Sequence, residues 1–237
     1  PPGKGGLTVP ATAHPSLLQA TPATGRPEVR WERMALPVGA VVELEDGRIE
    51  RLELNIFEGP RFFEALVRGR RYDEVHSIVA RICAICSAGH KITSIMALEN
   101  ALGVRPSNQT KLLRELYYHG MFIESHSLHL YFLALPDFLK SPSAFGLLPE
   151  HADTVKKGLA IKKLGNAIQE TVGGRAIHAE NPVIGGFGRV PSERELEELR
   201  RGLEANLEAA KEAVQLFGSL SYPVYTEAPT LFFAIEP

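Results

Sequence analysis

The segment from residue 108 to residue 134 most constrains the fold, because apolar side chains recur there at helical spacing over its whole length. They fall on most sides of the predicted helix, at Leu112, Leu116, Phe122, Leu130 and Phe132. A helix that is apolar on most sides is buried inside a larger assembly. The sequence therefore predicts a mainly α fold, a helical bundle around one long buried helix.

The flanking sequence predicts further helices and one small sheet. Residues 40–57 predict an N-terminal β-hairpin, because apolar residues alternate with polar ones on both sides of Asp46-Gly47, a strong turn signal. Gly103 is expected to close a helix in a left-handed conformation, and Ser192 with Glu195 forms a capping box that opens the last helix. The predicted helices, apart from the long one, cover residues 61–67, 72–82, 87–102, 154–171 and 193–218.

Two stretches carry no helical period. Residues 1–30 are rich in proline and are expected to form an extended arm ahead of one domain over residues 31–237. Residues 136–155 are rich in proline and serine and are expected to form a connection between helices.

The overall composition excludes some classes of function. Lys and Arg total 26 and Asp and Glu total 28, for a net charge of −2, which argues against nucleic acid as the main partner. No apolar run is long enough to predict a transmembrane segment. The first residues lack the pattern of a secretory signal, so a cytoplasmic location is expected.

The two cysteines of the chain, Cys83 and Cys86, form one Cys-x-x-Cys. A single pair of this kind is more typical of a metal-binding or redox site than of a framework of structural disulfides. It could be half of a zinc site, a redox dithiol, or half of a redox-active metal centre. The helix predicted before Cys83 disfavours the dithiol, which needs a strand there. The helix that starts near Ser87 favours thiolates, and His90 lies one turn into it. A four-thiolate site would need two sulfurs from another polypeptide or from a continuation of the chain.

Six blocks of the sequence, in this order, resemble the large subunit of nickel-iron hydrogenases, and most closely the soluble multi-subunit class. The most specific is Arg-x-Cys-x-x-Cys-x-x-x-His, which ends at His90. The blocks are residues 58–64, 81–90, 97–103, 125–137, 172–178 and 183–187. The resemblance covers about residues 40–218.

The resemblance implies roles for four residues. Cys83 is implied as a terminal nickel ligand, and Cys86 as a bridge between nickel and an iron that carries carbonyl and cyanide ligands. His90 is implied to lie near Cys86. Glu32 falls roughly where the family has a glutamate that relays protons from a nickel thiolate, although Arg33 replaces the glycine that follows it in the family.

The resemblance also implies a function and partners. The family carries a second Cys-x-x-Cys near the end of a chain about twice as long, so this chain is expected to be the N-terminal half, or a split part, of a catalytic subunit for reversible H2 oxidation. The second cysteine pair would come from another polypeptide or segment, and electrons would leave through iron-sulfur clusters on a small subunit. The alternative is a non-catalytic, hydrogenase-like interaction subunit that binds zinc or no metal.

Two further histidines, His126 and His129, lie three residues apart on the long helix. With no acidic partner on that face, they are interpreted as hydrogen-bonded core residues rather than as metal ligands.

Overall fold

The computed structural model describes residues 61–222 and, before them, four strands that form one antiparallel sheet in the order β1-β2-β3-β4. The strands are β1 Leu18–Ala20, β2 Glu28–Glu32, β3 Val38–Glu45 and β4 Arg48–Ile56. The pairing of β3 with β4 confirms the predicted hairpin, whereas its Asp46-Gly47 turn lies outside the described residues. Most of the predicted arm, residues 1–17 and 21–27, also lies outside them. Strands β1 and β2 were not expected from the sequence.

Seven α-helices lie in the part of the chain from residue 61 to residue 222, which confirms the mainly α prediction. Gly103 ends one of them with a φ of 70°, and the Ser192 hydroxyl accepts the Glu195 N–H of another at 3.3 Å, both as predicted. The helices are α1 Arg61–Val67, α2 Tyr72–Val79, α3 Ser87–Leu102, α4 Asn108–Leu128, α5 Leu135–Phe138, α6 Leu148–Gly173 and α7 Glu193–Gly218. None of the described helices is long and apolar enough to cross a membrane.

The predicted long helix forms, but its last part is wider than an α-helix. Its backbone is α-helical through α4 and π-helical over His129–Ala134 before it enters α5. Pro136 follows in the first turn of α5. A proline has no N–H to donate and its ring crowds the carbonyl four residues earlier, and the wider π turn relieves both constraints.

The connection predicted over residues 136–155 is shorter in the structure. A 3-10 turn covers Ala144–Leu147, and α6 begins at once, several residues before the predicted start. Its first turn carries a proline, which an α-helix tolerates there. His151 has a non-helical backbone with a φ of −125°, so α6 bends soon after it starts.

The core lies where α4 crosses α6. Glycines let the two backbones approach closely: a Cβ placed on Gly120 would lie 2.8 Å from Ile168, and one on Gly165 would lie 2.7 Å from the carbonyl oxygen of Gly120. Buried apolar side chains continue the core towards α3 on one side and α7 on the other. The bundle therefore forms the surface against which α3 and Cys86 pack.

The glycine-rich stretch after α6 forms a small hairpin of β5 Pro182–Val183 and β6 Gly186–Phe187. Asn181 holds its base. The side-chain amide nitrogen of Asn181 donates to the carbonyl oxygens of Val172 at 2.7 Å and Arg189 at 2.6 Å. Its side-chain oxygen accepts the Arg189 N–H at 2.6 Å.

Candidate metal centre

The cysteine pair lies in a tight turn between two helical segments. A 3-10 turn over Ala80–Ile82 follows α2, Cys83 has an extended backbone, and Cys86 is the N-cap residue of α3. The carbonyl oxygen of Cys86 accepts the N–H of Gly89 at 3.0 Å and of His90 at 3.3 Å. The segment before Cys83 is therefore helical, as predicted, and lacks the strand that a thioredoxin-like dithiol needs.

The turn brings the two sulfur atoms together. Their Cα atoms are 5.5 Å apart and the sulfurs form a disulfide; the Cys86 N–H donates to Cys83 Sγ at 3.1 Å. Reduction of this bond would release two thiolates at a helix N-terminus, where the backbone N–H groups stabilise negative charge. Two adjacent thiolates are a donor set that suits a soft metal ion. The residues present therefore fit one half of a thiolate metal site.

His90 lies one turn above Cys86 on α3 and is half-buried. Its imidazole makes no hydrogen bond with the described residues, so the interaction with a cysteine sulfur that the sequence suggested is not formed in this structure. Among the same residues, no group of three or more His, Cys, Asp or Glu side chains is arranged to hold a metal ion.

Glu32, the proposed proton relay, is the last residue of β2, and its backbone is paired opposite Gly39. Its side chain lies outside what the structure describes. The predicted proximity of this carboxylate to the cysteines therefore stays a prediction.

A buried charge supports the cysteine turn, and sequence reasoning missed it. Lys91 on α3 has no exposed surface, and its ammonium donates to Glu180 at 3.0 Å and to the Ser77 hydroxyl at 3.1 Å. The Ser77 hydroxyl donates to the same Glu180 oxygen at 2.5 Å. Arg81, two residues before Cys83, reaches the other Glu180 oxygen at 3.3 Å. Glu180 therefore ties α2, α3 and the start of the cysteine turn to one another.

The burial of this network changes the ionisation of its members. Burial lowers the pKa of Lys91, and the charge of Glu180 opposes that effect. Burial alone would raise the pKa of Glu180, but hydrogen bonds from Ser77 and Lys91 bring it below its ordinary value. Burial and the charge of Lys91 lower the pKa of the neighbouring His76.

His178 clamps both ends of the cysteine turn. Its Nδ1 lies 3.0 Å from the carbonyl oxygen of Ala80, to which it must donate, and its backbone N–H donates to the Ser87 hydroxyl at 3.3 Å. Its φ of 54° is uncommon for a residue other than glycine. His178 ends the sequence block 172–178, and the sequence alone assigns it no role. The local sequence signal that could have revealed the Lys91 network is the position of a lysine on a helix, α3, that packs against the core.

Residues 61–173 match the family model described as nickel-dependent hydrogenase. These residues belong to this family. The alpha subunit of sulfhydrogenase 2 from Pyrococcus furiosus is 47% identical over 180 residues, which are 76% of this chain and 44% of that protein. The alpha subunit of sulfhydrogenase 1 from the same organism is 39% identical over 199 residues, 84% of this chain and 46% of that protein.

A solved structure has the same fold. An NAD+-reducing NiFe-hydrogenase in its H2-reduced state superposes with a TM-score of 0.76 at 28% identity. The match covers 84% of this chain and 46% of that one. The chain thus spans about half the length of the relatives it matches.

Proposed function

We propose that this chain is the N-terminal part of the catalytic subunit of a nickel-iron hydrogenase, which oxidises H2 reversibly to protons and electrons. The observation that carries the proposal is the position of Cys83 and Cys86 in the turn before α3, within a chain of the nickel-dependent hydrogenase family.

The thiolates of Cys83 and Cys86 would hold a nickel-iron centre, with Cys83 as a ligand of nickel and Cys86 as a further ligand of the centre, whose iron would carry carbonyl and cyanide. Bound there, such a centre supplies the heterolytic cleavage of H2. The chain's own part is to present both sulfurs as thiolates, which the N–H of Cys86 and the α3 N-terminus favour. Glu180 and His178 hold the turn that carries the sulfurs in place.

Glu32 would accept a proton from a cysteine sulfur and pass it outward, and His90 would line the site beside Cys86. Replacing Glu32 with Gln should lower turnover at least tenfold while nickel content is unchanged, because the amide cannot carry the proton. Full turnover in that variant would remove Glu32 from the mechanism.

The remaining sulfur ligands would come from a second Cys-x-x-Cys outside residues 1–237. Electrons would pass to iron-sulfur clusters on a small subunit, since both cysteines of this chain are used at the metal. The relatives' designation as alpha subunits supports an assembly of several chains. A cytoplasmic location stays a prediction from sequence.

The decisive experiment replaces Cys83 with Ser in the assembled complex and measures bound nickel and iron together with H2 oxidation. Loss of both metals and of turnover, with helix content unchanged, is the expected result. Replacing Ala84 with Ser is the matched control, because it places the same side chain in the same turn and keeps both sulfurs. Unchanged turnover in the Cys83 variant would refute the proposal. A wild-type complex that holds only zinc, or no metal, would support the non-catalytic alternative.

A further inference from the structure

One face of α3 carries buried polar side chains. Ser87, Lys91 and Glu99 follow one another at spacings of four and eight residues, which places them on the same face of the helix. Ser87 and Lys91 have no exposed surface, and Glu99 is 3% exposed. Buried polar groups need hydrogen-bond partners, and residues 178–185, here called the strap, provide them along this face.

The strap runs along α3 in the same direction as the helix. Three hydrogen-bonded pairs join the two segments in sequence order, namely His178 N–H with the Ser87 hydroxyl at 3.3 Å, Glu180 with the Lys91 ammonium at 3.0 Å, and Gly185 N–H with the Glu99 carboxylate at 2.7 Å. The strap therefore fixes α3 from its first turn to its last.

The Glu180 carboxylate contacts both sides of the cysteine turn, one side with each oxygen. Its Oε1 accepts from Arg81, two residues before Cys83, at 3.3 Å. Its Oε2 accepts from Lys91, which lies on α3 after Cys86, at 3.0 Å. One carboxylate therefore fixes the segment before the turn relative to the helix after it.

The cysteine turn takes its shape from the segments at its two ends. Residues 83–86 lie between the 3-10 turn that ends at Ile82 and α3, which begins at Ser87. Cys83 has an extended backbone, with φ −142° and ψ 135°, so the helical path is interrupted at the first sulfur. A displacement of either end therefore changes the separation and direction of the two sulfurs. Such a change matters to a metal ion, because each thiolate must reach it at about 2.3 Å.

The contact between Arg81 and Glu180 should contribute little to the stability of the fold. The Arg81 side chain is 49% exposed and the Glu180 side chain is 45% exposed, and ion pairs this exposed are weak. The contact can therefore be removed in a folded chain, so that its effect on the sulfurs is measured separately from any effect on stability.

We propose that Glu180 is a positioning residue of the metal centre, whose two oxygens hold Arg81 and Lys91 so that both cysteine sulfurs can bind one metal ion. This inference rests on the proposed function. Glu180 acts through the turn and touches neither sulfur nor metal. Glutamine has nearly the same shape but offers one acceptor and one donor in place of two acceptors, so Glu180→Gln loses the contact on one side of the turn.

The test titrates Cd2+ under anaerobic conditions into the full 237-residue chain, after a phosphine has reduced the disulfide. The ultraviolet charge-transfer band of cadmium–thiolate bonds gives the affinity, and its amplitude at saturation reports how many sulfurs bind the ion. Both cysteines of the chain lie in this turn, so the band reports this site. Wild type should bind Cd2+ with two sulfurs. Glu180→Gln should bind it roughly fivefold more weakly and with a smaller band, because residues that orient metal ligands strongly affect metal affinity.

Arg81→Gln separates the effect of position from the effect of charge. This variant removes a positive charge near the thiolates, whereas Glu180→Gln removes a negative one. Charge alone would shift the Cd2+ affinities of the two variants in opposite directions. Loss of positioning should instead weaken binding in both, and Arg81→Gln should also bind roughly fivefold more weakly than wild type.

Two matched controls carry the same substitutions away from the cysteine turn. Glu99→Gln removes the carboxylate of the buried ion pair with Arg114 at the far end of α3. Arg71→Gln removes the arginine of an exposed ion pair with Asp73 at the start of α2. Both controls should bind Cd2+ like wild type, and circular dichroism verifies that every variant has the helix content of wild type.

Three results would overturn the positioning role. They are shifts of opposite sign in Glu180→Gln and Arg81→Gln, an unchanged affinity and band in both, and an equal weakening in Glu99→Gln. Nickel is measured in the assembled wild-type complex alongside the titrations. The expected Cd2+ results with no nickel in that complex would leave the positioning role standing and remove the proposed function. Bound nickel with unchanged Cd2+ binding in both variants would do the reverse.

Discussion

In the ion pair between Lys91 and Glu180, loss of the carboxylate should destabilise the fold more than loss of the ammonium. The lysine has no exposed surface, whereas the Glu180 side chain is 45% exposed. Replacing Glu180 with Gln should lower the free energy of unfolding by about 3 kcal/mol, because it leaves the ammonium buried without a counter-charge. Replacing Lys91 with Met should cost less, since the released carboxylate can turn to water. Urea denaturation of each variant measures both values.

A solvent-exposed ion pair on α7 provides the control for the Glu180 and Lys91 variants. Replacing Lys211 with Met breaks its exposed pair with Glu208 and should change stability by less than about 0.5 kcal/mol. Equal losses in the Glu180 and Lys91 variants would show that burial does not separate the two partners.

His76 should make the fold sensitive to mild acid. Burial and the charge of Lys91 lower the pKa of His76 below the ordinary value of 6.5. Between the two pKa values, His76 binds a proton in the unfolded chain but not in the folded chain. The contribution of this neutral histidine to the free energy of unfolding is fully present above pH 6.5. It is lost as the pH falls from 6.5 towards the lower pKa of the folded state. Replacing His76 with Gln should therefore reduce the loss of stability between pH 7 and pH 5. Urea titrations at pH 7, 6 and 5 test this, and parallel curves for variant and wild type would contradict it.

Among the elements, the α4–α6 crossing depends on its glycines. A Cβ on Gly165 would lie 2.7 Å from the Gly120 carbonyl oxygen, which is backbone and cannot move aside. Replacing Gly165 with Ala should lower the unfolding free energy by about 1–3 kcal/mol, the usual cost of overpacking, even though Ala favours the helix. Thermal or urea unfolding measures the change.

The last residue of α7 offers the matching control. A Cβ on Gly218 would meet no atom within 4 Å, so Gly218→Ala should be neutral or slightly stabilising. Comparable destabilisation at both positions would mean that crowding at the crossing is not the cause.

Across the whole molecule, one buried ion pair joins segments that are far apart in the chain. Arg114 on α4 donates to Glu99 on α3 at 2.6 and 2.8 Å and to the Val183 carbonyl oxygen at 3.3 Å. Glu99 also accepts the Gly185 N–H at 2.7 Å. Burial alone would raise the pKa of Glu99, but these two donors hold it below its ordinary value. The pair therefore fixes the glycine-rich hairpin against α3 and α4.

Breaking this pair on one side should be costly. Arg114→Met leaves the Glu99 carboxylate buried without a cation and should lower the unfolding free energy by about 3–5 kcal/mol. The double variant that adds Glu99→Leu should be more stable than the sum of the two single losses predicts, because no unpaired charge is left. A double-mutant cycle in urea measures the coupling, and simple additivity would contradict the interpretation.

Local sequence was sufficient for most elements. The bounds of α1 and α3, the Gly103 cap, the Ser192 capping box and the β3–β4 hairpin all follow from patterns within a few residues. The turn that brings Cys83 and Cys86 together was equally visible, because two residues separate them. The early start of α6 was not predicted, because the proline in its first turn is also typical of a connection between helices.

Only the tertiary structure decided the contacts between distant segments. The Lys91–Glu180 pair spans 89 residues, and no local pattern links them. The periodicity of the long helix shows apolar residues on several sides but not which side α6 covers. The sequence therefore predicts His126 and His129 in the core, whereas both are exposed in the structure. Helical period and capping act over a few residues, whereas the covered face of a helix depends on which other segments pack against it.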